Sequence, residues 1–187
     1  MATSMGRPGL AVFSIRLQIE RLDQSAATPE RAAKLHEWLR SMSDAQWEAT
    51  MAVNLNGVFY LVRQAIAAMP AGSSIVTLAS QSGHPGGSVE HGHYGATKGA
   101  IVSFTRTLAR ELGPAIRANA VSPGMIDTPM VARALAGKRE EVIANTPLKR
   151  LGRPEEVASL IAFLCSDAAS FITGEAILVT GGVFMGG

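Results

Sequence analysis

From residue 44 onward, short β-branched runs alternate with longer segments in which apolar side chains recur every three or four positions. Ser73 to Leu78 (SSIVTL), Ala115 to Val121 (AIRANAV) and Ala176 to Val179 read as strands. Ala96 to Leu112 reads as a helix with Ile101, Phe104, Leu108 and Leu112 along one face. Pro154 to Leu164 reads as another, opened by a proline in its first turn with Glu155 and Glu156 beside it. Before them, Asp44 to Met69 has the helical period, with Ser43 as N-cap and Trp47, Met51, Leu55, Val58 and Val62 on one side. Such alternation builds an α/β fold, a doubly wound parallel sheet in three layers with helices on both faces. Residues 1–43 fit less well: Leu10 to Ile15 has room for one strand, and Thr28-Pro29-Glu30 starts a helical stretch to about Arg40. The expectation is a single domain over 1–187 with an atypical segment at 1–43.

Composition narrows the class of protein. With 187 residues, 47% of them hydrophobic, the chain can bury one sizeable core and is short for two. Its 17 basic and 15 acidic residues are spread out, and no cluster of Lys or Arg tracks a phosphate backbone, so nucleic acid is not an expected partner. The apolar run Leu10-Ala11-Val12-Phe13 ends at Ser14 and Arg16, too short for a membrane span and without a signal-peptide cleavage pattern. The single cysteine, Cys165, cannot form an internal disulfide and reads as a buried small hydrophobe; a cytoplasmic location is the expectation.

The candidate chemistry centres on Tyr94-Gly95-Ala96-Thr97-Lys98. A phenol and an ammonium four residues apart share one helix face, and a nearby fixed cation favours a phenolate, so the pair is a candidate general acid/base. Ser80 lies at the carboxyl end of the SSIVTL strand, fourteen residues before Tyr94, where open parallel sheets bind their ligands. The next strand runs into Val121-Ser122-Pro123-Gly124-Met125-Ile126-Asp127-Thr128, again a loop at a carboxyl end. Asn54, inside an apolar helical stretch, is a mediocre helix former that is costly to bury unpaired. His84, His91 and His93 cluster before Tyr94 without carboxylate or cysteine companions, so no metal is expected there, and His93 is a substrate-contact candidate. The glycine-containing stretches Gly83 to Gly87 and Thr180 to Gly187 do not open a helix after a strand at phosphate-loop spacing and read as ordinary loops.

In this order the residues resemble the short-chain dehydrogenase/reductase family, in particular members similar to 3-oxoacyl-carrier-protein reductases. The match runs through Asn54 in VNLNG, Ser80, Tyr94 and Lys98 in YGATK, NAVSPGMIDT, and Gly152-Arg153-Pro154-Glu155-Glu156-Val157 through Ile172-Thr173-Gly174-Glu175 to Gly181-Gly182. It covers about Asp44 to Gly187. The resemblance implies a Rossmann-like fold and an NAD- or NADP-dependent oxidoreductase interconverting an alcohol and a ketone by hydride transfer. It gives Tyr94 the role of proton donor or acceptor at the substrate oxygen. Lys98 promotes its ionised form and binds the nicotinamide ribose, Ser80 hydrogen-bonds the same substrate oxygen, and Asn54 holds a relay water behind Lys98. Ser82 is the alternative to Ser80. The loop Pro123, Gly124, Ile126 and Thr128 lies beside the nicotinamide, Ile126 through its backbone and Thr128 through its hydroxyl. A small carbonyl or alcohol substrate, assembly into homodimers or homotetramers, and the absence of a membrane or nucleic-acid partner follow from the same resemblance.

The family's TGxxxGxG turn and its Asn-Asn-Ala-Gly segment do not occur in these 187 residues. Leu10 to Arg16 falls where the family's fourth strand stands, with Leu17-Gln18 in place of Ala-Gly. The expectation is therefore a truncated, incomplete Rossmann-like sheet lacking one side. The alternative function is a catalytically inactive member that keeps only the fold and its oligomerisation surfaces. Pro129 to Thr146, where the family selects substrate, is largely Ala, Val and Leu with scattered charges and implies only a partly apolar pocket.

Overall fold

A computed structural model describes residues 37–85, 87 and 89–185. The chain divides into two units, Met1–Ser43 and Asp44–Gly187. In the first, residues 37–41 are helical; the strand expected at Leu10 to Ile15 lies outside the described residues.

Among the described residues, the sheet of the second unit has three parallel strands, β1 (Ser74–Leu78), β2 (Arg117–Pro123) and β3 (Ala176–Val179), in the order β1-β2-β3. Ser74 pairs with Arg117 and Leu78 with Val121 on one side of β2; Ala120 pairs with Ala176 and Pro123 with Val179 on the other. Parallel neighbours need long crossovers, and here these are helical. α3 (Gly92–Leu112) joins β1 to β2, while α4 (Pro129–Ala134), α5 (Arg139–Asn145) and α6 (Pro154–Cys165) lie between β2 and β3. Ahead of the sheet run α1 (Asp44–Met51), a π turn (Ala52–Asn56) and α2 (Gly57–Ala65).

The central strand explains the layers. β2 is buried along its interior, and its side chains alternate between two helical faces. Ala118 and Ala120 pack towards α3, where Ile101, Val102, Leu108 and Ala109 are buried, joined by Val62 of α2. Val121 packs towards α6 with Val157 and Leu164. Each fully buried Leu, Ile or Val contributes about 1.5–3 kcal/mol, so these clusters hold the sheet between its helices. This is a Rossmann-like α/β arrangement with a parallel sheet and flanking helices.

The buried stripe of α3 contains residues that apolar periodicity does not select. Thr97 and Thr105 are buried beside Ile101 and Leu108, whereas Phe104 and Leu112 are only partly covered. Thr105 Oγ1 donates to Ile101 O at 2.7 Å and meets Thr77 Oγ1 at 2.7 Å. Thr97 Oγ1 donates to Tyr94 O at 2.7 Å. Hydroxyls satisfied in this way can replace aliphatic carbon on a buried face.

Several boundaries differ from the sequence reading. α3 starts at Gly92 rather than Ala96, so Tyr94 is already helical. β2 extends to Pro123, and Pro129 to Thr146 folds into two short helices. The helix expected over Asp44 to Met69 is interrupted by the π turn, and its first part, α1, buries nothing, leaving Trp47 exposed. Cys165 is exposed, because the last turn of α6 directs Leu164, not its neighbours, at the sheet. Among the described residues, no helix is long and apolar enough to cross a membrane.

Candidate active site

The carboxyl ends of all three strands converge on one edge of the sheet. β1 ends at Leu78, and Ser80 follows as the N-cap of a tight 3-10 turn, Gln81–Gly83. Ser80 is 8% exposed; its Oγ accepts from Ser82 N at 3.2 Å and its carbonyl accepts from Gly83 N at 3.0 Å. An accepting hydroxyl keeps its own proton to donate. Ser82 lies within the turn, its carbonyl against Gly95 of α3.

Tyr94 and Lys98 occupy the first two turns of α3, both half-buried. Lys98 Nζ lies 5.7 Å from the centroid of the Tyr94 ring and donates to Leu78 O at 2.8 Å. The ammonium is thus tied to the end of β1, next to the Ser80 turn. Burial lowers the Lys98 pKa below its ordinary value, because desolvation penalises the charged form.

Asn54 is in the middle of the π turn, where Gly57 N–H bonds back five residues to Ala52 O. The widened turn packs against α3, and Leu55, next to Asn54, joins the cluster of Ala79, Ile101 and Ala120. Single π turns inside α-helices recur at functional sites. An asparagine in an apolar helical stretch was the visible trace of this one.

The loop after β2 closes the edge. Gly124 N donates to Val179 O at 2.9 Å, and a Cβ on Gly124 would lie 2.8 Å from Gln81 Oε1 and 3.0 Å from Thr180 Cα. Gly124 therefore lets the loops from β1, β2 and β3 meet. Ile126, 8% exposed, forms a parallel bridge with Gly152 through Asp127 N to Gly152 O (2.8 Å) and Gly152 N to Met125 O (2.9 Å). In that pattern Ile126's own N–H and C=O take no part, so both are directed away from the bridge. Thr128 caps α4, its Oγ1 accepting from Val131 N at 3.3 Å. Arg139 of α5 clamps Asp127 through Nη1–Oδ1 (3.0 Å) and Nη2–Oδ2 (2.7 Å), and this guanidinium holds the carboxyl below its usual range.

Three further residues shape the sheet, two at this edge and one at the amino end of β3. Gln81 Oε1 is buried at this edge without a hydrogen-bond partner among the described residues. Gly83 seats the Ser80 turn on α3. Asn119 of β2, fully buried, donates to Ile172 O at 2.9 Å and accepts from Glu175 N at 3.1 Å, which fixes the approach to β3. Their partners are remote in sequence, so no local pattern marks them. Two of the histidines turn to protein groups: His84 Nε2 is 2.8 Å from Ser122 Oγ, and His91 Nδ1 is 2.8 Å from Val89 O. Burial, and secondly Arg106, lower the His84 pKa. Among the described residues, no group of three or more His, Cys, Asp or Glu is disposed to hold a metal ion.

Comparison with known proteins identifies the family. A family profile described as enoyl-(acyl carrier protein) reductase matches residues 12–184. The mouse protein (3R)-3-hydroxyacyl-CoA dehydrogenase (Mus musculus) is 38% identical over 153 residues, covering 80% of this chain and 59% of the relative. The 3-oxoacyl-[acyl-carrier-protein] reductase of Thermotoga maritima is 40% identical over 151 residues, covering 76% of this chain and 58% of the relative. Among solved structures, the short-chain dehydrogenase/reductase from Brucella melitensis titled glucose/ribitol dehydrogenase superposes with a TM-score of 0.76 at 56% identity, covering 79% of this chain and 60% of that one. The chain thus spans about three-fifths of the length of these relatives. On the profile match and these identities, this chain belongs to the short-chain dehydrogenase/reductase family.

Proposed function

We propose that this chain carries the catalytic residues of an NAD- or NADP-dependent oxidoreductase that interconverts a small alcohol and its ketone. The observation that supports it most is the Lys98 ammonium beside the Tyr94 ring, tied to Leu78 O two residues before Ser80. In the reducing direction the Tyr94 hydroxyl gives its proton to the carbonyl oxygen, and Ser80 Oγ donates a hydrogen bond to that oxygen as negative charge develops there. Two hydroxyl donors and a nearby cation stabilise such an alkoxide, and general acid catalysis of this kind contributes roughly 10²–10⁴ in rate. Lys98 favours the tyrosinate left behind and binds a ribose hydroxyl, and Asn54 holds the water through which the proton is replaced. A bound nicotinamide supplies the hydride at the carbonyl carbon and accepts it in reverse.

The residues fit that end of a cofactor. Among the described residues, neither the N–H nor the C=O of Ile126 is engaged by another backbone group, which suits them to a carboxamide, and the Thr128 hydroxyl keeps a proton to donate. Pro123 and Gly124 bring the backbone close to the strand ends, where a side chain would intrude. Relatives named for 3-hydroxyacyl-CoA and 3-oxoacyl-carrier-protein chemistry make a 3-oxoacyl thioester the first substrate to try. We also propose a homodimer or homotetramer in the cytoplasm, since Val53, Phe59, Tyr60 and Leu61 expose an apolar face on the π turn and α2.

That same face supports a second reading, an inactive subunit that keeps only fold and assembly surfaces. Titration of NADH and NADPH into the purified chain, followed by turnover with acetoacetyl-coenzyme A, separates the two. Enhanced nicotinamide fluorescence and turnover lost in Tyr94→Phe support the enzyme; no fluorescence change with either cofactor supports the inactive subunit.

A further inference from the structure

The Ser80 turn and the helix carrying Tyr94 and Lys98 meet backbone to backbone, with glycine at each of three points of contact. A Cβ built on Gly83 would lie 2.5 Å from the carbonyl carbon of Lys98, 2.7 Å from its oxygen and 2.7 Å from Gly99 N. From the helix side, a Cβ on Gly95 would lie 3.0 Å from Ser82 O, and one on Gly99 would lie 3.3 Å from Gly83 O. The obstacles are backbone atoms, which cannot swing aside as the end of a flexible side chain does. None of the three glycines has a positive φ, so backbone conformation does not require them. Gly95 and Gly99 lie inside α3, where alanine is the better helix former, so helix propensity does not explain them either. Space alone does.

We propose that Gly83, seated on the Lys98–Gly99 peptide, is the positioning residue that sets the separation between the Ser80 hydroxyl and the Tyr94/Lys98 pair. The inference rests on the oxidoreductase reading above. Ser80 is coupled to the turn by two bonds, Ser82 N to its Oγ and Gly83 N to its carbonyl, so a displaced Gly83 tilts Ser80. The strand end cannot follow, because Ala79 N is held by Val121 O at 2.8 Å and Leu78 O by Lys98 Nζ. Relief of the Gly83 overlap requires the turn to retreat by about 1 Å, and a misplacement of that size can cost ~100-fold in rate.

The experiment compares the wild-type chain with Gly83→Ala and Gly95→Ala by two readouts. Amide hydrogen exchange reads the contact: in Gly83→Ala, exchange at residues 81–84 accelerates about tenfold or more while that of β2 is unchanged. Steady-state kinetics with acetoacetyl-coenzyme A reads the consequence: kcat falls roughly 10- to 100-fold, KM for the reduced cofactor stays within about twofold, and Gly95→Ala shows a smaller fall of the same kind. Should Gly83→Ala not fold, Gly95→Ala carries both readouts, since its overlap is milder. Unchanged exchange in the turn overturns the proposal, as does a loss in which KM rises as much as kcat falls. Accelerated exchange in a protein whose wild type has no turnover upholds the packing and refutes the oxidoreductase reading instead.

Discussion

Replacing Asn119 by alanine tests whether the approach to β3 is held by a buried carboxamide rather than by apolar packing alone. Asn119 is fully buried on β2, and its side chain bonds Ile172 O at 2.9 Å and Glu175 N at 3.1 Å, both in the segment leading into β3. Truncation leaves a carbonyl and an amide without these partners. A buried unsatisfied group costs about 1–3 kcal/mol, and because both bonds are only part-buried and Glu175 is exposed, the pair together is worth about that much. Ile172 O keeps a long contact, 3.4 Å, from Arg117 Nη1, which favours the lower half of that range. For a chain of this size about 1 kcal/mol moves Tm by roughly 2–4 °C, so Asn119→Ala should melt at least about 2 °C below wild type. Thermal unfolding followed by circular dichroism measures it, with urea unfolding to check that the m-value is unchanged. Asn119→Asp sharpens the test: it loses the donor to Ile172 O and puts a charge against that carbonyl, so its deficit should shrink as pH falls and the acid is protonated. A Tm shift below about 2 °C for Asn119→Ala would refute the reasoning, because it would mean that the two backbone groups are satisfied without the side chain.

Other outcomes follow from the same contacts. Glu156 accepts from Arg150 at 2.6 and 2.8 Å and from Arg153 N at 2.7 Å, and these bonds lower its pKa from 4.5 to about 2. Its contribution is fully present above about 4.5 and lost as pH falls towards about 2, so Glu156→Gln should flatten the acid limb of the stability profile over that window. Lys98→Met should abolish turnover without lowering Tm at pH 7, because burial disfavours the ammonium. Between the lowered folded pKa and the ordinary value near 10.5 the unfolded chain binds more protons, so wild type should gain stability relative to Lys98→Met as pH rises through that window. Gly124→Ala should weaken binding of reduced nicotinamide in a fluorescence titration, since its Cβ would lie 2.8 Å from Gln81 Oε1 and 3.0 Å from Thr180 Cα.

What the sequence made legible was local. β3 and α6 were readable because apolar periodicity, the Pro154 start and the paired glutamates are all contained in the segments themselves. Tyr94 and Lys98 stood out as candidates because one helix carries both, and Ser80 because it follows a strand. The start of α3 was not, since Gly92 and Gly95 are poor helix formers. Thr97 and Thr105 look polar in sequence and become core once their hydroxyls find a carbonyl in the same helix. Gly83, Gly124 and Asn119 derive their importance from atoms far along the chain, and only the folded arrangement identifies those partners. The π turn left one trace, Asn54, whose residue type is out of place in an apolar helical stretch.

The central claim is that Tyr94, Lys98 and Ser80 form a working acid/base site served by a nicotinamide cofactor. It is tested most directly by titrating NADH and NADPH into the purified 187-residue chain and into its Tyr94→Phe variant, with turnover of acetoacetyl-coenzyme A measured alongside. The account predicts that both proteins bind at least one reduced cofactor with enhanced fluorescence, and that kcat falls roughly 10²–10⁴-fold in Tyr94→Phe. Absence of binding by the wild type, or turnover that survives the substitution, would contradict it.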